Sequence, residues 1–214
     1  MFYSQDGQDR YLETNVFKGY KNGTYIDVGA YDGVDINNTL YFENTHGWSG
    51  VNIEPMKESF DKLVINRPRS ININCAVCNS DGETDFFNNV GHTKLISGIT
   101  STFDSRHLQR LHDENRDWGS TTELIKVRTK RLETICDEYK IHHIHYLSID
   151  VEGGEFEVIK SINFDKVFID VIGFENNYDD VSAPIVEYLK HKGYRVIHTS
   201  MDIFMIHTNS IFNI

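Results

Sequence analysis

Along most of the chain, short runs rich in Ile and Val alternate with segments of helical periodicity, and that alternation constrains the fold more than any other feature. TYIDVG (24–29), SGVNIE (49–54), SININCAV (70–77), IHYLSID (144–150) and KVFIDVIGF (166–174) are predicted strands. Helices are predicted at 36–46, 57–66, 131–139, 154–162 and 181–192. Strand–helix–strand repetition builds right-handed βαβ units, so the fold class is α/β, a doubly wound and mainly parallel sheet. VFIDVIGF is apolar almost throughout, as in a strand covered on both faces. Near the C-terminus, YRVIHT (194–199) and IFMIHT (203–208) lie too close for a parallel crossover. They must form an antiparallel hairpin at the sheet edge.

Residues 79–130 interrupt the rhythm. The segment is polar, with Gly, Ser, Thr and the histidines His92, His107 and His112. Short strands are predicted near 83–88 and 124–129, with an irregular stretch between them. A long loop inside a compact domain is either functional or disordered; Phe103, Leu108 and Trp118 favour a folded lid. The length of 214 residues, with 39% hydrophobic and 25% charged, fits a single globular domain over 1–214. A net charge of −11, from 21 Lys and Arg against 32 Asp and Glu, opposes binding to nucleic acid. No apolar stretch reaches membrane-spanning length, and no signal peptide is visible. Three cysteines without a secretion signal predict reduced thiols and a cytoplasmic protein. Cys75 and Cys78 match C-x-x-C, but they end a predicted strand with no active-site helix after it, which favours a structural role over redox or zinc chemistry.

In an open parallel sheet, ligands bind beyond the carboxyl ends of the strands at the switch point. The first strand ends there as D-V-G-A-Y-D-G (27–33), which lacks the G-x-G-x-x-G of a dinucleotide turn. Gly29 and Gly33 permit close approach, while Asp27 and Asp32 repel a pyrophosphate and attract a cation. S-adenosylmethionine (SAM) is an adenosine cofactor with a sulfonium, an ammonium and no phosphate. Glu54, ending the second strand, is placed to accept both ribose hydroxyls. Pro55 then starts the next helix without needing an N–H partner. The competing role for Asp27 is a turn or capping carboxylate.

Several segments together resemble the FkbM family of SAM-dependent methyltransferases. They are YSQDGQDRYLE (3–13), NGTYIDVGAYDGVDINNTLYFE (22–43), GWSGVNIEP (47–55), NCAV (74–77) and SIDVEGGEFEVIKSI (148–162), in family order. The resemblance implies the Rossmann-like class I methyltransferase fold, a seven-stranded sheet with an antiparallel last strand. It also implies methylation of hydroxyl oxygens, often on sugars or polyketide-type products. Carried onto this sequence, it places Asp27, Gly29, Asp32 and Gly33 around the methionine part of SAM and Glu54 on the ribose. Cys75 and Ala76 would border the adenine, and Gln8, Asn38 and Thr39 would close over the amino-acid tail. For Asn38 and Thr39, a helix N-terminus satisfying its own amides is the competing role.

An alcohol oxygen becomes a good nucleophile only when its proton is removed or its pKa falls, which calls for a base, a metal or both. Asp150 and Glu152 end the fourth strand; Glu175, Asn176 and Asn177 end the fifth. Carboxylate and amide oxygens suit a hard cation such as Mg²⁺ or Mn²⁺. Asp150 with Glu175 and Asn176 resembles the Asp and Asp-Asn pattern of metal-dependent O-methyltransferases, with Glu replacing Asp. In the alternative, Asp150 and Glu152 bind loop amides and orient SAM, while Glu152 or a lid histidine, His92 first, acts as base. His142, His143 and His145 start the fourth strand, at the wrong end of the sheet for chemistry. In the insertion, Thr100, Ser101, Thr102, Asp104, Arg106, Asn115, Arg116 and Asp117, with Phe103 and Trp118, suit a sugar or glycan acceptor. The alternatives are a polyketide-type acceptor, an NAD-dependent oxidoreductase or epimerase, and a noncatalytic nucleotide-binding domain.

Overall fold

The computed structural model describes residues 1–212. Its first half runs α1 (Gln8–Leu12), β1 (Thr24–Val28), α2 (Leu40–His46), β2 (Ser49–Ile53), α3 (Lys57–Asn66), β3 (Ile71–Ile73), β4 (Ala76–Val77), β5 (Gly82–Val90), β6 (Gly98–Ile99) and α4 (Ser105–Trp118). The second half continues through β7 (Thr121–Lys130), α5 (Leu132–Tyr139), β8 (His143–Ile149), α6 (Glu155–Lys160), β9 (Phe168–Glu175), α7 (Asp179–His191), β10 (Tyr194–Thr199) and β11 (Asp202–His207).

Seven strands form the main sheet in the order β10-β11-β9-β8-β1-β2-β3. The pairs β1–β2, β2–β3, β1–β8 and β8–β9 are parallel, and β11 runs antiparallel to both β9 and β10. The expected reversed strand is therefore present, but it is wedged inside the sheet rather than lying at its rim. The chain winds from β1 outward through β2 and β3, then returns to the other side of β1 as β8. The carboxyl ends of β1 and β8 thus form the switch point.

Period-two alternation explains the two covered faces. Ile26, Leu147, Ile172 and Met205 join one core with Leu132, Ile135, Val158, Ile159, Ile185 and Leu189 from α5, α6 and α7. Their neighbours Tyr25, Tyr146, Val171 and Phe204 face the other side, where Leu12, Phe17, Phe42 and Trp48 pack.

Three expectations change. The strand predicted at 70–77 is two pieces: β3 belongs to the main sheet, while β4 pairs with β7 in a second sheet ordered β4-β7-β5-β6. The Asn74 amide marks the break, donating to Glu54 O at 2.8 Å and Pro55 O at 3.0 Å. The helix predicted at 36–46 begins only at Leu40, because residues 30–39 form a hydrogen-bonded loop. The stretch between the two insertion strands holds the 14-residue helix α4. Asp104 caps it by accepting from the Arg106 N–H, and Gly119 ends it at φ +64°.

Candidate functional site

A cleft of about 240 Å³ opens at the carboxyl ends of β1, β2, β8 and β9 and is covered by the insertion. Eight carboxylates line it: Asp6, Asp27, Asp35, Glu54, Asp150, Glu152, Glu175 and Asp202. Its two cationic side chains, Lys94 and Arg110, both come from the insertion.

The turn after β1 has a sharp steric requirement. Gly29 has φ +88°, and a Cβ there would stand 1.8 Å from Asp150 O. This glycine lets the tips of β1 and β8 approach each other; the close contact that demands it is with protein backbone. Asp27 is buried and accepts from Asn37 Nδ2 at 2.9 Å and Thr39 Oγ1 at 2.8 Å. Burial pushes its carboxyl up, against the pull of Arg67. The Arg67 guanidinium is fully buried, 2.7 Å from Glu43 Oε2, and also donates to the Tyr25 hydroxyl, Thr39 Oγ1, Asn37 Oδ1 and Gly33 O. The loop that carries Asp27's partners is therefore anchored from behind.

Asp27, Gly29, Asn38, Glu54, Cys75, Ala76 and Gln8 all line the cleft. Asp32, Gly33 and Thr39 do not. The Asp32 carboxylate accepts from the amides of Val34 and Asp35, each at 2.9 Å, which is a turn role. Gly33 has φ +79° and packs against the side chains of Leu63 and Arg67. Thr39 stands behind Asp27 as its hydrogen-bond donor.

The lining residues fit SAM at both ends. Glu54 is buried, and its oxygens accept from the amides of Tyr31 at 3.0 Å and Met56 at 2.8 Å. Burial outweighs those bonds and pushes its carboxyl up to about 8. Asn38 Oδ1 is buried in the cleft wall without a hydrogen-bond partner, an acceptor available to a cationic group. Cys75 and Cys78 are free and buried, and burial pushes the Cys75 thiol up to about 11, which suppresses the reactive thiolate.

Across the cleft, one carboxylate oxygen from each of Asp150, Glu152 and Glu175 lies within 4.8 Å of the others. Burial and mutual repulsion push Asp150 and Glu175 well above the usual carboxylate range. Asp150 opens into the cleft, and the like charges around it disfavour its ionised form. Asn177 Nδ2 donates to Glu175 Oε2 at 2.6 Å.

Asn176, expected as a metal ligand, turns away. Its N–H donates to Met201 O at 2.8 Å and its Nδ2 to Asp179 Oδ1 at 3.2 Å, facing the groove beside α7. Glu152 takes its place in the cluster. His92, expected as a base, is exposed and stacked on Trp118, ring centroids 4.4 Å apart, outside the cleft lining. His107 is instead the lid histidine nearest the acids, with Nε2 3.1 Å from Glu152 Oε2. The two atoms are close but misaligned, since neither has a hydrogen-bond partner.

The polar insertion residues expected to face an acceptor also lie elsewhere. Arg106 pairs with Asp104 and Asp180, Asn115 bonds Thr93 and Thr122, and Ser101 and Thr102 line a neighbouring hollow. Phe86, Lys94, Leu95, Ile96, Ser97, Ile99 and Arg110 form the cover.

At the opposite end of the sheet, His143, His145 and Asp170 also converge. Thr24 N donates to His145 Nδ1 at 2.9 Å, occupying the lone pair a metal would need, and His143 Nε2 pairs with Asp170 at 2.6 Å. That cluster is structural.

Asp202 was not anticipated, although a reversed strand necessarily starts where its parallel neighbours end. It pairs with Gln8, and burial pushes its carboxyl up to about 6.

Structural comparison gives the same architecture. A methyltransferase FkbM from Methylobacillus flagellatus superposes with a TM-score of 0.53 at 12% identity, covering 88% of this chain and 44% of that one. The chain thus spans less than half the length of that relative. The methyltransferase domain of METTL16 superposes with a TM-score of 0.50 at 14% identity, covering 96% of this chain and 66% of that one. At such identities the likeness establishes the fold. Among curated proteins, no sequence matches significantly. The model of the methyltransferase FkbM domain matches residues 27–196, from the acidic turn of β1 into β10, and the chain belongs to that methyltransferase family.

Proposed function

We propose that the protein is a SAM-dependent O-methyltransferase acting on a hydroxyl of a sugar or glycan, with a divalent cation, Mg²⁺ or Mn²⁺, held by Asp150, Glu152 and Glu175. The observation that carries this reading is the division of one cleft into two acidic ends. Glu54 lies at the tip of β2, and three carboxylates converge beyond the tips of β8 and β9, which supports a ribose contact at the first and deprotonation of the acceptor at the second.

SAM supplies a methyl group on a positively charged sulfur, and a bound cation would lower the pKa of an acceptor hydroxyl. The chain's own residues do the rest. Glu54 accepts from the ribose hydroxyls, Asn38 Oδ1 receives the ammonium, and Cys75 and Ala76 wall the adenine. Asp150, Glu152 and Glu175 would hold the cation, and a carboxylate of this cluster would take the hydroxyl proton. The insertion excludes water and orients the acceptor, so much of the rate enhancement is positional.

A second acceptor reading has its own support. Phe86, Leu95, Ile96 and Ile99 make one side of the cover apolar, which suits a polyketide-type alcohol. An NAD-dependent reaction has no support in the acidic β1 turn.

The deciding experiment incubates the full chain and SAM with a panel of glycans, sugar nucleotides, polyketide-type alcohols and amines, followed by mass spectrometry. A gain of about 14 Da on a sugar hydroxyl, matched by S-adenosylhomocysteine, supports the proposal. A gain confined to amines or to polyketide-type alcohols replaces it.

A further inference from the structure

The turn that presents Glu152 is shaped by the insertion packed over it. Glu152 has φ +57° although it is not glycine, and Gly153 follows at +99°. A Cβ on Gly153 would stand 3.1 Å from Thr102 O. A Cβ on Gly98 would meet the Phe103 ring at 2.6 Å and Val151 O at 3.4 Å. Residues 98–103 therefore press directly on the turn after β8.

From α4, His107 completes this contact. Its side chain is 2% exposed, and its ring stands edge-on to Phe103 with centroids 4.8 Å apart. Nε2 lies 3.1 Å from Glu152 Oε2, and both atoms are buried without a hydrogen-bond partner. Such a pair needs only a small rotation of the carboxylate to become an N–H···O bond. Asp150, Glu152 and Glu175 share a 4.8 Å set that His107 does not join, so the imidazole reaches the cluster through Glu152.

Resting on the reading of those three carboxylates as a cation cluster, we propose that His107 is a positioning residue. It orients Glu152 so that one oxygen faces Asp150 and Glu175 while the other is held from the insertion. A cation drawn to the cluster rotates Glu152 into line with His107, and a seated α4 holds Glu152 ready for the cation. Seating of the insertion and cation capture are thereby linked, and each strengthens the other.

The test uses the full chain with Mn²⁺ as the probe, followed by calorimetry or electron paramagnetic resonance. Affinity for S-adenosylhomocysteine serves as the measure of an intact cleft. His107→Met keeps side-chain length without a donor, and His107→Gln restores a donor at similar volume. Mn²⁺ should bind about 10–100-fold more weakly to His107→Met and recover most of that loss in His107→Gln, with S-adenosylhomocysteine affinity near wild type in both. In the wild type, which needs no substitution to fold, hydrogen exchange of α4 amides should slow when Mn²⁺ is added. Unchanged Mn²⁺ affinity in His107→Met, equal losses in both variants, or no slowing in α4 overturns the positioning role and leaves the cation cluster standing. Failure of the wild type to bind Mn²⁺ overturns both.

Discussion

If Glu54 holds the cofactor as proposed, its ionisation ties binding to pH. Its carboxyl stands at about 8 because burial outweighs two amide hydrogen bonds. In the proposed function the ribose hydroxyls donate to this carboxylate, and such bonds select the ionised form. Affinity for S-adenosylhomocysteine should therefore rise with pH from 6 and level off above 8, by up to about tenfold per pH unit on the lower limb. Calorimetry over pH 6–9 checks this, and Glu54→Gln should flatten the slope. For the ligand-free protein the sign reverses: a carboxyl raised above its ordinary value holds its proton more tightly when folded, so Glu54 lowers stability as pH rises from that ordinary value through 8. Arg67 yields a separate prediction. Arg67→Met leaves Glu43 buried without its main partner and should cost about 3–5 kcal/mol in urea unfolding. The site residues readable in advance, Asp27, Glu54 and Asp150, were those whose place at a strand tip defines their surroundings. Arg67 gave no such sign, because its partners Tyr25, Thr39 and Glu43 lie far away in sequence. The absence of Asn176 from the cluster has a simple origin. Its N–H is tied to Met201 O and its side chain to Asp179, so it faces α7 while Asn177 donates to Glu175.

Secondary-structure elements divided along the same physical line. Strands such as β8 and β9 were readable because both faces are covered and their apolar runs are continuous. Helix α4 was not, because only His107 and Leu111 of its 14 residues are buried, too few to print a helical stripe. The caps were the available signal: Asp104 before the helix and Gly119 after it. Asp104→Ala should weaken the helix by about 1 kcal/mol, seen as faster hydrogen exchange in α4 while β8 and β9 stay protected. Gly29→Ala should be harsher. It adds a Cβ 1.8 Å from Asp150 O to a left-handed backbone that alone costs about 1–3 kcal/mol, and it should abolish S-adenosylhomocysteine binding. The break between β3 and β4 was hidden because both halves have strand composition, and a single asparagine side chain decides where they part.

At the scale of the whole molecule, the charges that line the cleft are sorted between scaffold and insertion. The eight carboxylates of the cleft come from the scaffold and its N-terminal segment, and Lys94 and Arg110 face them from the cover. This arrangement favours a positively charged donor beneath an acceptor layer, so ligand-induced stability should discriminate donors. S-adenosylmethionine at 100 times its dissociation constant should add about 2.7 kcal/mol, read as a higher Tm, and NAD should add nothing. A shift with NAD alone would remove the methyltransferase reading of the cleft. The position of β11 between β9 and β10 has a consequence for biosynthesis. During translation β9 and β10 emerge before the strand that joins them, and each must wait with an unsatisfied edge until residue 207 clears the ribosome. A nascent chain halted before Asp202 should therefore be sticky and chaperone-dependent, and the scaffold that carries the cleft can close only after β11 has threaded between its two neighbours.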